Sequence, residues 1–454
     1  MSDTAQAKAA WLRNTLGIET EADGPPPPGA VLPKNPIRAI IDGVEAIFSR
    51  RKKKKTSPTP TPPPTPPPTP PSQSSPTVVK DDAFEEKLRT LKEEIGKVKA
   101  LGCGTAQMEA DADDLAAHAE TASKEQNKDK RDKAYTALRK RADEMIQHVR
   151  ALRKSIKDVM GEAEGPPSAQ QKNDAYKKAL EDFYGLTITV PDGMTNTHFD
   201  QMFDMFGTVP QGHVKQNKLK SLKYNTADIG GVYDGTPCEI EMGNFGDGTR
   251  METDPSSRYM LDGKVVPANS FNVTALHEIG HALDADKDIM GKNKKKDGAG
   301  GWTDWMRTDA VVPIYAKALK QEASPSDKVT EDAMLELVRT AIVSGTVTQP
   351  TGMGNEDWQK INTFLVTKCL PMRDAQQPYF KNNPATIGDM VYTEGSPGWW
   401  CGYKYAARAS TYVNNYQWRS PPEWFAEVYA ITWLSKKKPP SGVAAEIAEY
   451  CWKE

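Results

Sequence analysis

His277-Glu278-Ile279-Gly280-His281 is the stretch that decides which fold and chemistry to look for. On a helix, residues at i and i+4 lie one above the other, so the two imidazoles can bind one metal ion. Glu278 stands beside them as a carboxylate suited to general-base work rather than ligation. The chain holds only six histidines, which makes the pair informative. The alternative is a surface helix carrying two unrelated histidines. The flanks favour a buried helix: Val273, Leu276, Ile279, Gly280 and Leu283 follow a helical apolar stripe, and Ser270 and Asn272 offer capping oxygens. Gly280 costs about 1 kcal/mol against alanine inside a helix. Close approach of another backbone or of substrate would explain it.

A metal of this kind needs a third protein ligand. No histidine follows His281, and the position six residues beyond it is Lys287, so an extended three-histidine pattern is absent. The third ligand is expected to be a carboxylate. Tyr416-Gln417-Trp418-Arg419-Ser420-Pro421-Pro422-Glu423-Trp424-Phe425-Ala426-Glu427 supplies the best candidates. Ser420 can cap a helix and Pro421 suits its first position. Trp424, Phe425, Val428, Tyr429 and Ile431 would bury one side, leaving Glu423 and Glu427 one turn apart. Such a helix can present one ligand and one hydrogen-bonding partner behind it. Ser420 to Glu423 also reads as a capping box, in which Glu423 reaches back to the Ser420 amide. On spacing alone both readings stand.

Taken together, these two motifs resemble the anthrax lethal factor-type catalytic domain, from a gluzincin-like family of bacterial toxin zinc metallopeptidases. The resemblance implies His277, His281 and Glu423 as ligands of one Zn²⁺ per chain, Glu278 as the general base, and Tyr416 as a hydrogen-bond donor to the transition state. It also implies an α+β, zincin-like metallopeptidase domain, mostly helical with a small mixed sheet. The interval from His281 to Glu423 is longer than in lethal factor, so the resemblance does not assign the middle of the domain. Asp284, three residues after His281, is a candidate to orient an imidazole, as Glu427 is; a solvated acidic residue is the plain alternative for Asp284.

Gly230 to Met242 reads as two short strands around a Gly/Pro turn. In zinc peptidases an edge strand beside the zinc helix pairs with extended substrate, which makes Val232 and Tyr233 substrate-strand candidates. An ordinary hairpin is the competing reading. Leu186 to Val190 alternates as a strand, Lys287 to Gly301 reads as a loop, and Thr330 to Ile342 as a helix capped by Thr330. The aromatics between Trp399 and Trp418 are expected mainly in the core.

The rest of the chain is modular. Residues 1–79 are expected to form a disordered tail, with 17 of the 35 prolines between Pro25 and Pro76 in an extended Pro/Thr/Ser-rich linker. The run Arg50 to Lys55 follows an apolar stretch too short to span a bilayer, and membrane contact there is the lesser expectation beside a solvated charge run. Residues 80–165 repeat Leu88, Leu91, Ile95, Val98 and then Leu138, Met145, Val149, Leu152, Ile156, Val159, the pattern of a helical hairpin or small bundle ending at Gly165-Pro166-Pro167. Residues 168–454 are long enough for a metallopeptidase domain. Five scattered cysteines without a CxxC pair argue against a disulfide framework. A net charge of −2 gives no reason to expect a nucleic-acid partner. No signal peptide is recognised, so synthesis as a soluble cytoplasmic protein is expected, with export by a signal-independent route.

The leading expectation is therefore a zinc endopeptidase acting on a protein or peptide substrate, an exported toxin or effector with export machinery or an inhibitor protein as further partners. A housekeeping intracellular metallopeptidase and a non-enzymatic interaction protein with a vestigial zinc fold are the rivals. Intact Glu278 and Tyr416 speak against the latter.

Overall fold

The computed structural model describes residues 78–189, 196–215, 219–225, 231–235, 238–243, 259–266, 269–373, 377–435 and 439–451. The expectations for residues 1–77 lie outside these. The described residues belong to one compact unit, mostly helical with small mixed sheets.

Three helices open it: α1 (Asp82–Ala100), α2 (Ala106–Ser123) and α3 (Lys128–Met160). Asp81 and Asn127 cap the first and third by accepting from Phe84 N and Lys130 N. Their buried faces are those the periodicity marked, with Leu88, Leu91, Ile95 and Val98 against Met145, Val149, Leu152 and Ile156. At Gly165-Pro166-Pro167 the chain turns into α4 (Ala169–Tyr184), whose start carries a full capping box between Ser168 and Gln171. The apolar core continues across this turn into the following segment. A buried Thr208 hydroxyl, at the end of α5 (Asn196–Thr208), donates to Asp111 of α2 at 2.8 Å, tying the two parts together.

The first sheet orders its strands β1 (Thr187–Thr189), β2 (Ser221–Asn225), β4 (Glu239–Gly243) and β3 (Gly231–Asp234). The first three run parallel, and β3 pairs antiparallel with β4 at one edge. Cys238, in the turn between β3 and β4, takes the left-handed φ of 70°. A two-residue ladder, β5 (Met260–Leu261) with β6 (Lys264–Val265), follows. Next comes α6 (Ser270–Lys287), which carries the histidine motif. Its cap is Asn269, whose side chain accepts from Phe271 N and Asn272 N, not Ser270 or Asn272 as expected.

The segment 287–301 is not an open loop. Ile289–Asn293 is a short helix and Asp297–Ala299 a 3₁₀ turn, with Ile289, Met290, Ala299 and Trp302 buried. Its lysines dominated the reading, but the apolar residues between them are what pack. The middle of the chain, which the motifs leave unassigned, forms α7 (Thr308–Ala323), α8 (Glu331–Ser344) and α9 (Asn355–Phe364) around a second, separate core. Thr330 caps α8 as read, accepting from Ala333 N.

A three-stranded antiparallel sheet joins this satellite to the main body. Its order is β7 (Met306–Arg307), β9 (Trp399–Lys404), β8 (Met390–Ser396). Alternation along the strands serves both cores: Tyr392 and Trp400 turn to the satellite, while Val391, Cys401 and Tyr403 turn to the main core. All five cysteines are free thiols, so no disulfide holds the body together.

The last long helix, α10 (Pro421–Leu434), is buried almost all round and crosses α6. The crossing point is Gly280, where an added Cβ would lie 3.0 Å from Ala426 Cα and 3.2 Å from Tyr429 Cβ. Backbone proximity is thus the reason for a glycine inside a helix. Gly280→Ala is expected to destabilise by about 1–3 kcal/mol despite alanine's better helix propensity, because the two helices must separate. Gly96→Ala, on the exposed face of α1 with nothing within 4 Å, is expected to stabilise by up to about 1 kcal/mol. Urea denaturation of the two variants checks both signs.

Candidate metal centre

α6 and α10 place four of the predicted residues against one another. The Nε2 atoms of His277 and His281 each stand 3.1 Å from Glu423 Oε2, although His281 and Glu423 are 142 residues apart. The imidazole rings, one helical turn apart, meet edge to face with centroids 4.6 Å apart at 85°. Glu423 does not close a capping box: Ser420 makes no side-chain cap bond, and the carboxylate turns to the histidines. His277 Nδ1 faces Glu427 Oε1 at 3.2 Å, and Glu427 Oε2 accepts from buried Asn414 Nδ2 at 2.9 Å. Tyr416 donates its hydroxyl to Glu423 Oε1 at 2.9 Å. Arg419 Nη1 donates to that hydroxyl oxygen at 2.8 Å.

Electrostatics explain why this cluster calls for a cation. His277 has a carboxylate at each ring nitrogen. If Nδ1 carries the proton that Glu427 accepts, a neutral ring would turn a lone pair at Glu423. Burial opposes charge on His277, but the Glu427 charge beside it and the hydrogen bonds its ring donates to Glu423 and Glu427 hold it well above the usual histidine range. Burial likewise opposes charge on Glu423, and His281 and His277 overcome it, holding the carboxyl well below the usual range. An ion about 2.0–2.1 Å from two nitrogens and one oxygen gives tetrahedral ligand separations of about 3.3 Å. The 3.1 Å spacings found here match that with little adjustment.

His277, Glu278 and His281 also bring one ligand atom each within 4.8 Å of one another, and this buried group could hold a metal ion. Glu423 Oε2 stands 3.1 Å from both imidazoles, so two carboxylates, Glu278 and Glu423, adjoin the same pair of nitrogens. Glu278 is buried, with its Cγ and Oε1 against Gly231 of β3, where a Cβ would approach to 3.1 Å. The edge strand therefore runs beside this carboxylate, and Val232 and Tyr233 follow directly on it, both half-buried. Among the described residues β3 pairs only with β4.

The Asp284 carboxylate accepts from the Met290 amide at 2.7 Å and from Ile289, joining the end of α6 to the next turn, and it also lies within electrostatic reach of His281. Burial pushes its pKa up. Following three residues after His281 aims it at the helix end, where unpaired amides compete for it.

Several contributors were not read from the sequence. Asn414 carries no signal beyond lying near Tyr416. Arg419 is four residues before Glu423, and the i,i+4 charge rule could have marked it. The irregular segment 411–418 is held by buried polar groups. Gln417 Nε2 donates to Thr411 O at 2.8 Å, its Oε1 accepts from Val413 N at 2.9 Å, and Arg408 donates to Asn415 Oδ1 at 2.6 Å. Buried irregular backbone survives only when satisfied in this way. On the far side of α10, His213 Nδ1 lies 2.8 Å from the Tyr429 hydroxyl, which helps to set the helix rotation.

No family model, curated protein or solved structure matches this chain. The geometry therefore carries the functional argument. Glu427→Ala is expected to weaken the binding of a divalent metal ion by about 10–100-fold, whereas Asp284→Ala is expected to lower the melting temperature. Chelator competition and thermal melts separate the two effects.

Proposed function

We propose that this chain is a zinc-dependent endopeptidase with a zincin-like active site. The observation that carries the reading is the meeting of His277, His281 and Glu423 Oε2 at 3.1 Å, with Glu278 beside them. Two imidazoles and one carboxylate are a donor set that suits Zn²⁺ and keeps a fourth position open. Zinc, when bound, supplies a water made acidic enough to deprotonate near neutrality and polarises the carbonyl to be attacked.

The chain's own residues do the rest. Glu278 takes the proton of the attacking water and returns it to the leaving amine. Tyr416, a hydroxyl kept protonated by burial and by the Glu423 charge, donates to the carbonyl oxygen as it becomes negative. Glu427, held by Asn414, fixes the His277 ring. β3, at the edge of its sheet among the described residues, runs alongside extended substrate, with the base at its Gly231 end. Use outside the producing cell, as an exported toxin or effector, is part of the proposal and rests on the motif resemblance alone.

The test is zinc content and cleavage of a quenched fluorescent decapeptide pool by the wild type and two variants. Glu278→Ala is expected to keep zinc and lose turnover by about 10³-fold or more. Glu423→Ala is expected to weaken zinc binding at least about ten-fold. Unchanged zinc affinity in Glu423→Ala would pass the ligand role to another carboxylate, and a wild type without zinc would end the proposal.

A further inference from the structure

We propose that Arg419 is a positioning residue that holds Tyr416 by its hydroxyl oxygen and takes over the outer oxygen of Glu423 when the tyrosine proton turns to substrate. This rests on the peptidase reading above. In the structure the Tyr416 proton points at Glu423 Oε1, 2.9 Å away. A phenol has one proton to give and two lone pairs to offer. Tyr416 can serve a substrate oxygen only by leaving Glu423.

That departure strips a donor from a carboxylate oxygen in a largely buried site, which is costly when nothing replaces it. Arg419 is placed to replace it. Its Nη1 already donates to the Tyr416 oxygen at 2.8 Å and stands 3.5 Å from Glu423 Oε1. A shift of about half an ångström brings it to hydrogen-bond distance of that oxygen. A guanidinium offers five N–H donors in a rigid fork, so one group can serve phenol and carboxylate together. The guanidinium carbon lies 5.6 Å from the Tyr416 ring centroid, which keeps it near the phenol. A cation at the phenol oxygen also polarises the O–H, making it a stronger donor towards developing negative charge. Arg419 does all this without touching substrate.

Two non-additive effects of opposite sense test the exchange, using the full chain. Zinc affinity is measured by competition with a chelating dye for Arg419→Ala, Tyr416→Phe and the double variant. Either donor alone can serve Glu423 Oε1, so each single change is expected to alter zinc affinity by less than about three-fold, while the double weakens it at least about ten-fold. Turnover of the best peptide from the pool should show the reverse. Arg419→Ala is expected to lower kcat at least about ten-fold with KM little changed, and the double variant to be no slower than Tyr416→Phe. Arg419→Lys, which keeps a cationic donor, should recover part of the loss.

Zinc effects or kcat losses that simply multiply would overturn the proposal and make Arg419 a packing residue at the start of α10. The absorption spectrum of the cobalt-substituted variants and their zinc-free melting temperatures identify a variant that has merely misfolded, in which case Arg419→Lys decides by the same two criteria. A wild type that binds zinc but cleaves no peptide overturns the peptidase reading alone, since the zinc comparison still decides the role of Arg419. A wild type that binds no zinc overturns both.

Discussion

Gly280 lets two helices cross so closely that the Cα of Ala426 lies where a β-carbon would otherwise press. The meeting of the imidazoles with Glu423 follows from that approach. Glu423 is one turn before Ala426 on the N-terminal side of the crossing, and His277 and His281 flank Gly280 on the other helix. At ordinary interhelical separations of 8–10 Å with larger residues at the contact, side chains of this length would meet less readily. The two helices are buried on nearly every side, so no apolar stripe fixes their rotation. Polar pairs supply that specificity: Glu427 with His277 on one face and His213 with Tyr429 on another.

The centre is also an electrostatic arrangement that the protein completes in only two ways. Glu423 and Glu427 are taken largely out of water, where an unpaired carboxylate is expensive. The imidazoles of His277 and His281 answer them at 3.1–3.2 Å. A site built this way competes protons against a metal ion for the same positions. Tyr416 and Asn414 donate to the outward oxygens, so each carboxylate has a partner at both ends.

The long interval between the histidine helix and Glu423 is accommodated without disturbing the crossing because it folds mostly on its own core. Its link is a sheet whose alternate residues face opposite ways, giving each core its own set of side chains from the same strands. The opening three helices behave differently. They share the main core and bury the Asp111 to Thr208 bond against the body.

Much of the fold was legible because helical periodicity is a local property. The apolar steps of α1 and α3, the Thr330 cap and the β3–β4 hairpin all depend on residues within a turn or two of one another. The lysine-rich segment after α6 was misread because its burial depends on what lies above it. That the Asp284 carboxylate also takes up amides at the helix end was not legible, because those amides belong to the turn that follows.

By itself the sequence determined that His277 and His281 share a helical face, that Glu278 adjoins them, and that Glu423 and Glu427 stand one turn apart. Whether Glu423 caps its own helix or faces the histidines was open at that level, since both need only the spacing from Ser420 to Glu423. The tertiary structure decided it. Capping uses a backbone amide three residues away, whereas the metal centre needs two helices brought together across 142 residues, and only long-range packing around Gly280 does that.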